Sequence, residues 1–135
     1  MSVTETYECY PPERALVIDG DDSLVHVIRV ALMQVGFEVE VAHTVDEALA
    51  LPLCDYDLFI LDMKLEDMRG LQVAQKIRSS VLTADTPLII CSTNMGSCDI
   101  VRGLDAGADD YVSRTLQPVT FKARVHSLMR RHRGA

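Results

Sequence analysis

Five times along this chain a short apolar run rich in β-branched residues gives way to a longer stretch with helical spacing, and no other pattern narrows the fold as far. The runs are Ala15 to Asp19, Glu38 to Ala42, Tyr56 to Asp62, Thr86 to Cys91 and Asp110 to Ser113. The helical stretches fall at about Asp22–Val35, Thr44–Leu51, Met68–Ser80, Met95–Ala106 and Pro118–Arg131. Strands that alternate with helices predict βα units and a parallel sheet. Runs three and four, Leu58-Phe59-Ile60-Leu61 and Leu88-Ile89-Ile90-Cys91, are apolar on both faces and belong in the sheet centre, with helices above and below. Right-handed crossovers then build a three-layer α/β/α sandwich around a five-stranded parallel sheet. Gly36 and Gly107 read as helix stops, while Pro87 and Pro118 stand where a strand start and a first helical turn accept proline.

Two of these strands end in acid. Asp62 closes the third run, with Gly70 eight residues on, and the first run enters Asp19-Gly20-Asp21-Asp22. An aspartate after a strand is most often a turn residue or a helix cap. Asp22 fits that role, because Leu24, Val27, Ile28, Ala31, Leu32 and Val35 follow at helical spacing. Asp19, Asp21 and Asp62 are left over at the carboxyl edge, where open α/β sheets hold ligands. The same edge receives Ser92-Thr93 and Ser113-Arg114. Carboxylates for Mg²⁺, one carboxylate to accept phosphate, and a hydroxyl and a cation for its oxygens make a phosphoryl-transfer set.

Composition removes several other classes. At 135 residues with 48% hydrophobic content, the chain holds one core and not two. A net charge of −7 opposes direct nucleic-acid binding by the domain as a whole, although Lys122, Arg124, Arg130, Arg131 and Arg133 make the last helix basic. The four cysteines, Cys9, Cys54, Cys91 and Cys98, contain no C-x-x-C pair, so neither zinc nor a disulfide framework is expected and a reduced, cytoplasmic setting fits. The first thirteen residues lack the basic and apolar regions of a signal peptide, and no run reaches membrane-spanning length. A flavodoxin-like cofactor binder needs an acid-free phosphate loop after strand one, which Asp19-Gly20-Asp21-Asp22 is not. A dehalogenase-type phosphatase expects a second aspartate two residues after the first, where this chain has Lys64.

Four motifs, in order and at family spacing, resemble the receiver domain of two-component response regulators over about residues 14–131. They are Leu16-Val17-Ile18-Asp19; Leu61-Asp62 with Leu65 and Gly70; Ile90-Cys91-Ser92-Thr93; and Gly107-Ala108-Asp109-Asp110-Tyr111-Val112-Ser113-Arg114. The resemblance implies a flavodoxin-like (βα)5 fold, with residues 1–13 as an extension and 132–135 as a tail or the start of a linker. It implies that Asp62 accepts a phosphoryl group from a histidine kinase or phosphotransfer protein. Asp19, Asp62 and the backbone carbonyl of Lys64 would hold Mg²⁺, Ser92 and Arg114 would contact the phosphoryl oxygens, and Tyr111 would be the aromatic switch. It also implies a signalling domain with at most self-phosphorylation and slow autodephosphorylation of its own.

Departures from the family pattern sit in the same places. Gly20 replaces the second adjacent acid, which lowers the ligand charge available to a hard cation, and Asp21 substitutes for it only through a rearranged turn. Arg114 replaces a lysine, exchanging a compact ammonium for a planar fork. Thr115 replaces a proline, so a trans peptide is expected there, and Glu66 replaces another. Asp105, Asp109, Asp110 and Arg124 match the charged pairing face of the winged-helix transcription-factor class, formed by helix four, strand five and helix five, whereas Ile100 and Thr120 break a further ion pair of that face. Two readings follow: a phosphorylation switch, stand-alone or preceding an output domain, and a phosphorylation-independent module that binds a partner or dimerises.

Overall fold

The computed structural model describes residues 12–19, 22–63 and 69–134, and within them the side chains of residues 19, 22–24, 62, 63, 69 and 134 are not described. Five strands, β1 (Arg14–Asp19), β2 (Glu38–Ala42), β3 (Leu58–Met63), β4 (Leu88–Ser92) and β5 (Asp110–Ser113), form one parallel sheet in the order β2-β1-β3-β4-β5. Helices α1 (Asp22–Val35), α2 (Val45–Leu49), α3 (Arg69–Ser79), α4 (Ser97–Asp105) and α5 (Pro118–Gly134) connect and follow them, with a short 3-10 turn at Leu53–Asp55. The expected three-layer (βα)5 sandwich is therefore the fold observed.

Alternation along each strand sends its side chains into two separate cores. Ala15, Val17, Leu58, Ile60, Ile89 and Val112 meet Leu32 of α1 and Phe121, Val125 and Met129 of α5. Leu16, Ile18, Phe59, Leu61, Leu88 and Ile90 meet Val45 and Ala48 of α2 and Val73, Ala74 and Ile77 of α3 on the opposite face. Every residue of β4 is buried, as a central parallel strand requires.

Boundaries shift by one or two residues, each for a local reason. Thr44 does not enter α2 but caps it: its Oγ1 accepts from Glu47 N at 3.0 Å, while Glu47 reaches back to His43 N at 2.9 Å. Asp22, expected as a cap, is the first helical residue. Gly96 is extended and precedes α4, so that helix starts two residues after Met95. α5 continues past Arg131 to Gly134. Gly36 and Gly107 end their helices with φ of 110° and 121°, a region that favours glycine. No cis peptide bond occurs among the described residues, so Arg114–Thr115 is trans.

At the amino edge of the sheet Tyr56 is buried beneath Arg14, whose guanidinium carbon lies 4.9 Å from the ring centroid. Burial, then the neighbouring Glu40 carboxylate, pushes the Tyr56 phenol from the ordinary 10.0 up to about 12. The hydroxyl has no hydrogen-bond partner in good geometry.

Truncating the most enclosed aromatic, Phe59→Ala, should cost about 3–5 kcal/mol in chemical denaturation, since it opens a cavity under the central strand. Tyr56→Phe should stabilise the fold by about 1 kcal/mol at neutral pH by removing a buried, unbonded hydroxyl. A folded-state pKa above the unfolded one means that protonated Tyr56 contributes stability below pH 10 that disappears as pH rises from about 10 to about 12. The Phe variant should lack that component in urea midpoints measured across the same range.

Candidate functional site

The order of strand addition switches sides between β1 and β3, and the carboxyl ends beside that switch point carry the residues singled out in the sequence. Asp19 and Asp62 are Cα partners at the last register step of β1 and β3. Asp62 pairs with Cys91, and the next step pairs Met63 with Ser92. Ser92 in turn pairs with Ser113, and Arg114 N donates to the Ser92 carbonyl at 3.0 Å. Parallel register alone thus gathers Asp19, Asp62, Ser92 and Arg114 along one edge, adjacent strands being about 4.8 Å apart.

The side chains of Asp19 and Asp62, and all of Gly20, Asp21, Lys64, Leu65 and Glu66, lie outside the described residues. Among those described, no three His, Cys, Asp or Glu cluster as a metal site. The donor chemistry nevertheless suits Mg²⁺: two aspartates, a hard-oxygen pair, sit side by side at the ends of neighbouring strands.

Ser92 is 2% exposed, and its Oγ accepts from Asn94 N at 3.0 Å, which leaves the hydroxyl proton available for donation. The Tyr111 hydroxyl donates to the backbone carbonyl of the same Asn94 at 2.7 Å. One peptide segment therefore links the serine at the edge to the tyrosine of β5. The Tyr111 ring lies against Gly103 of α4, where an added Cβ would come within 2.7 Å of it. Asn94 and Gly103 are neighbours of these residues that motif reading missed. A glycine inside a helical pattern was the available signal, because it marks close approach by something else.

Arg114 is partly buried at the mouth of a small apolar recess formed with Val27 and Ile28 of α1 and Leu116 and Phe121. Beside it, Ser113 Oγ and Thr115 Oγ1 share a hydrogen bond of 2.8 Å, a local turn in place of the proline geometry.

The charged residues assigned to a pairing face are used unevenly. Asp110 and Arg124 pair within the chain at 3.1 Å, tying β5 to α5, and Asp105 is exposed on α4. Asp109 is exposed, and its Oδ2 accepts from Leu88 N and from Arg78 Nη2, both at 2.9 Å, which fixes the start of β4.

No helix among the described residues is long and apolar enough to cross a membrane. The sequence model of the response regulator receiver domain matches residues 15–126. The cell cycle response regulator CtrA of Brucella ovis is 36% identical over 122 residues, which are 90% of this chain and 52% of that protein. The chain spans about half the length of such curated relatives. A CheY-like response regulator receiver domain protein from Methanospirillum hungatei superposes with a TM-score of 0.79 at 25% identity, covering 92% of this chain and 98% of that one. DrrB of Thermotoga maritima, described as an OmpR/PhoB homolog, gives 0.78 at 25% identity over 88% of this chain and 53% of its own. With the sheet order, the paired strand-end aspartates and the Ser92 and Tyr111 positions already in place, these matches show that the chain belongs to the response regulator receiver domain family, the receiver module of two-component signalling.

Proposed function

We propose that Asp62 is the phosphoacceptor of this receiver. The observation that carries the reading is the register of β1, β3 and β4, with Asp19 opposite Asp62 and Ser92 one step beyond it. A carboxylate oxygen of Asp62 attacks the phosphorus of a phosphohistidine on a histidine kinase or phosphotransfer protein. The new P–O bond forms as the P–N bond breaks, and the imidazole departs with the electron pair. Asp19, Asp62 and the Lys64 carbonyl would hold Mg²⁺, which when bound offsets the charge of the phosphoryl oxygens. Ser92 donates its hydroxyl to one of those oxygens, and Arg114 supplies the positive charge. As Ser92 turns toward the phosphoryl group, its bond to Asn94 N is released, and Tyr111 is affected through the Asn94 carbonyl. We read residues 14–131 as the receiver unit, with 1–13 and 132–135 as an extension and the approach to a further segment. Its output face is that of α4, β5 and α5, with Asp105, Asp109, Asp110 and Arg124 as the charged residues of a face that pairs with a second copy.

A second reading is favoured by Gly20 and Arg114. With one acid fewer for the cation and a bulkier fork at the phosphate, the same face would recruit its partner without phosphorylation.

Intact mass after incubation with acetyl phosphate and Mg²⁺ should show one added phosphoryl group that is absent from Asp62→Asn. No adduct at saturating Mg²⁺ would overturn the first reading and favour the second. Restoring the second acid, Gly20→Asp, should tighten Mg²⁺ by about tenfold in a metal titration, because affinity in such sites follows ligand charge. Unchanged affinity would mean that Asp21 already supplies it.

A further inference from the structure

Ser92 and Thr83 are the two buried polar side chains among the described residues. The first belongs to the candidate site. The second lies in the loop from α3 to β4, and its Oγ1 donates to the Ile77 carbonyl at 2.6 Å. Arg78 Nη1 holds the same loop, donating to the Thr86 carbonyl at 2.6 Å and to the Ala84 carbonyl at 3.2 Å. Backbone bonds from Thr83 N to the Ser80 carbonyl and from Thr86 N to the Thr83 carbonyl close its turns. Connecting loops are ordinarily the mobile parts of a fold, and this one is pinned.

What the pinning displays is apolar. Val81 is 95% exposed and Leu82 74%. Scattered apolar residues on a surface need no explanation, but these two adjoin an open groove of about 230 Å³. One wall of the groove is Leu49, Leu51, Leu53 and Cys54, and the other includes Lys76 and Leu82. A fixed apolar projection beside an apolar groove is self-complementary, because a two-fold rotation can set each projection into the other groove. The charges agree with such a pairing. Lys76 lies on the α3 wall, and exposed Asp55 follows Cys54 on the opposite one, its Oδ1 3.8 Å from Cys54 Sγ. A two-fold axis along the groove sets the cation of one copy opposite the acid of the other. A loop already fixed in its binding shape also gives up little conformational freedom on docking.

We propose that this face is a contact between two copies of the chain, with Val81 of each copy seated in the leucine groove of the other and Lys76 facing the other copy's Asp55. Thr83 and Arg78 are positioning residues, since they fix the loop and leave the contact to its neighbours. The face is small, so the dimer is weak and depends on concentration. It shares no contact residue with the face of α4, β5 and α5 and requires no phosphoryl group. A failed phosphorylation assay would leave it standing.

Cys54 lies in the groove and Cys98 on α4, both exposed, so the two thiols report the two faces separately. Iodoacetamide labelling of the reduced full chain, read by peptide mass, should slow at Cys54 as the protein is raised from low micromolar to millimolar concentration, with Cys98 unchanged. Sedimentation over the same range should show monomer giving way to dimer. Val81→Glu, at an almost fully exposed position where folding tolerates the change, should raise the dimer Kd by roughly tenfold or more. Lys76→Asp should weaken pairing, and adding Asp55→Lys to it should restore most of the loss. A chain that stays monomeric, with Cys54 labelled at one rate throughout, would overturn the proposal and leave the groove to another protein or to residues 1–11 of the same chain. A dimer that survives Val81→Glu and shields Cys98 instead would overturn it too, and would put the contact on α4.

Discussion

Parallel pairing of strands that are buried on both faces is the constraint from which the rest of this molecule follows. A strand such as Leu88–Ser92, with every residue buried, satisfies its backbone only through neighbours on each side and its side chains only through helices above and below. Parallel strands must also return by crossovers, so each chain reversal passes over a face and each carboxyl end emerges at one edge. The gathering of Asp19, Asp62, Ser92 and Arg114 is a by-product of that geometry, not of any attraction among them.

Against this rigid frame the α4 side is lightly built. α1 and α5 bury Leu32, Phe121, Val125 and Met129 against one face, and α3 buries Val73, Ala74 and Ile77 against the other. α4 buries only a glycine. Its position therefore depends on directional contacts, a ring in a notch and a few hydrogen bonds, and not on area removed from water. Elements held in this way are drawn from the low-stability end of a fold, where a small change in one contact moves a whole helix.

The charges divide similarly. Asp110 with Arg124 is a solvent-facing pair whose contribution to stability is small, about 0–1 kcal/mol. Asp109, one residue earlier, accepts from a backbone amide and from a guanidinium that also binds carbonyls, and so holds two loops together. Neighbouring acids of identical chemistry thus have unrelated roles, one meeting the loop that enters β4 and the other α5.

The strands, their parallel arrangement and the candidate edge were legible in the residues because they follow from local periodicity and from where apolar runs stop. Leu58 to Leu61 could not be other than central, and an acid closing that run could not be other than at the carboxyl edge. The proline and glycine punctuation at Gly36, Gly107 and Pro118 was likewise local, since each acts through its own φ. What tertiary structure alone decided involves partners far apart in the chain. Arg78 bonds a carbonyl 29 residues away, Leu88 draws on a carboxylate 21 residues on, and Tyr111 reaches back 17 residues to Asn94. No periodicity encodes such contacts, because they depend on how two crossovers happen to lie against each other. For the same reason neither the arginine beside Asp109 nor the ring beside Gly103 was legible in the residues.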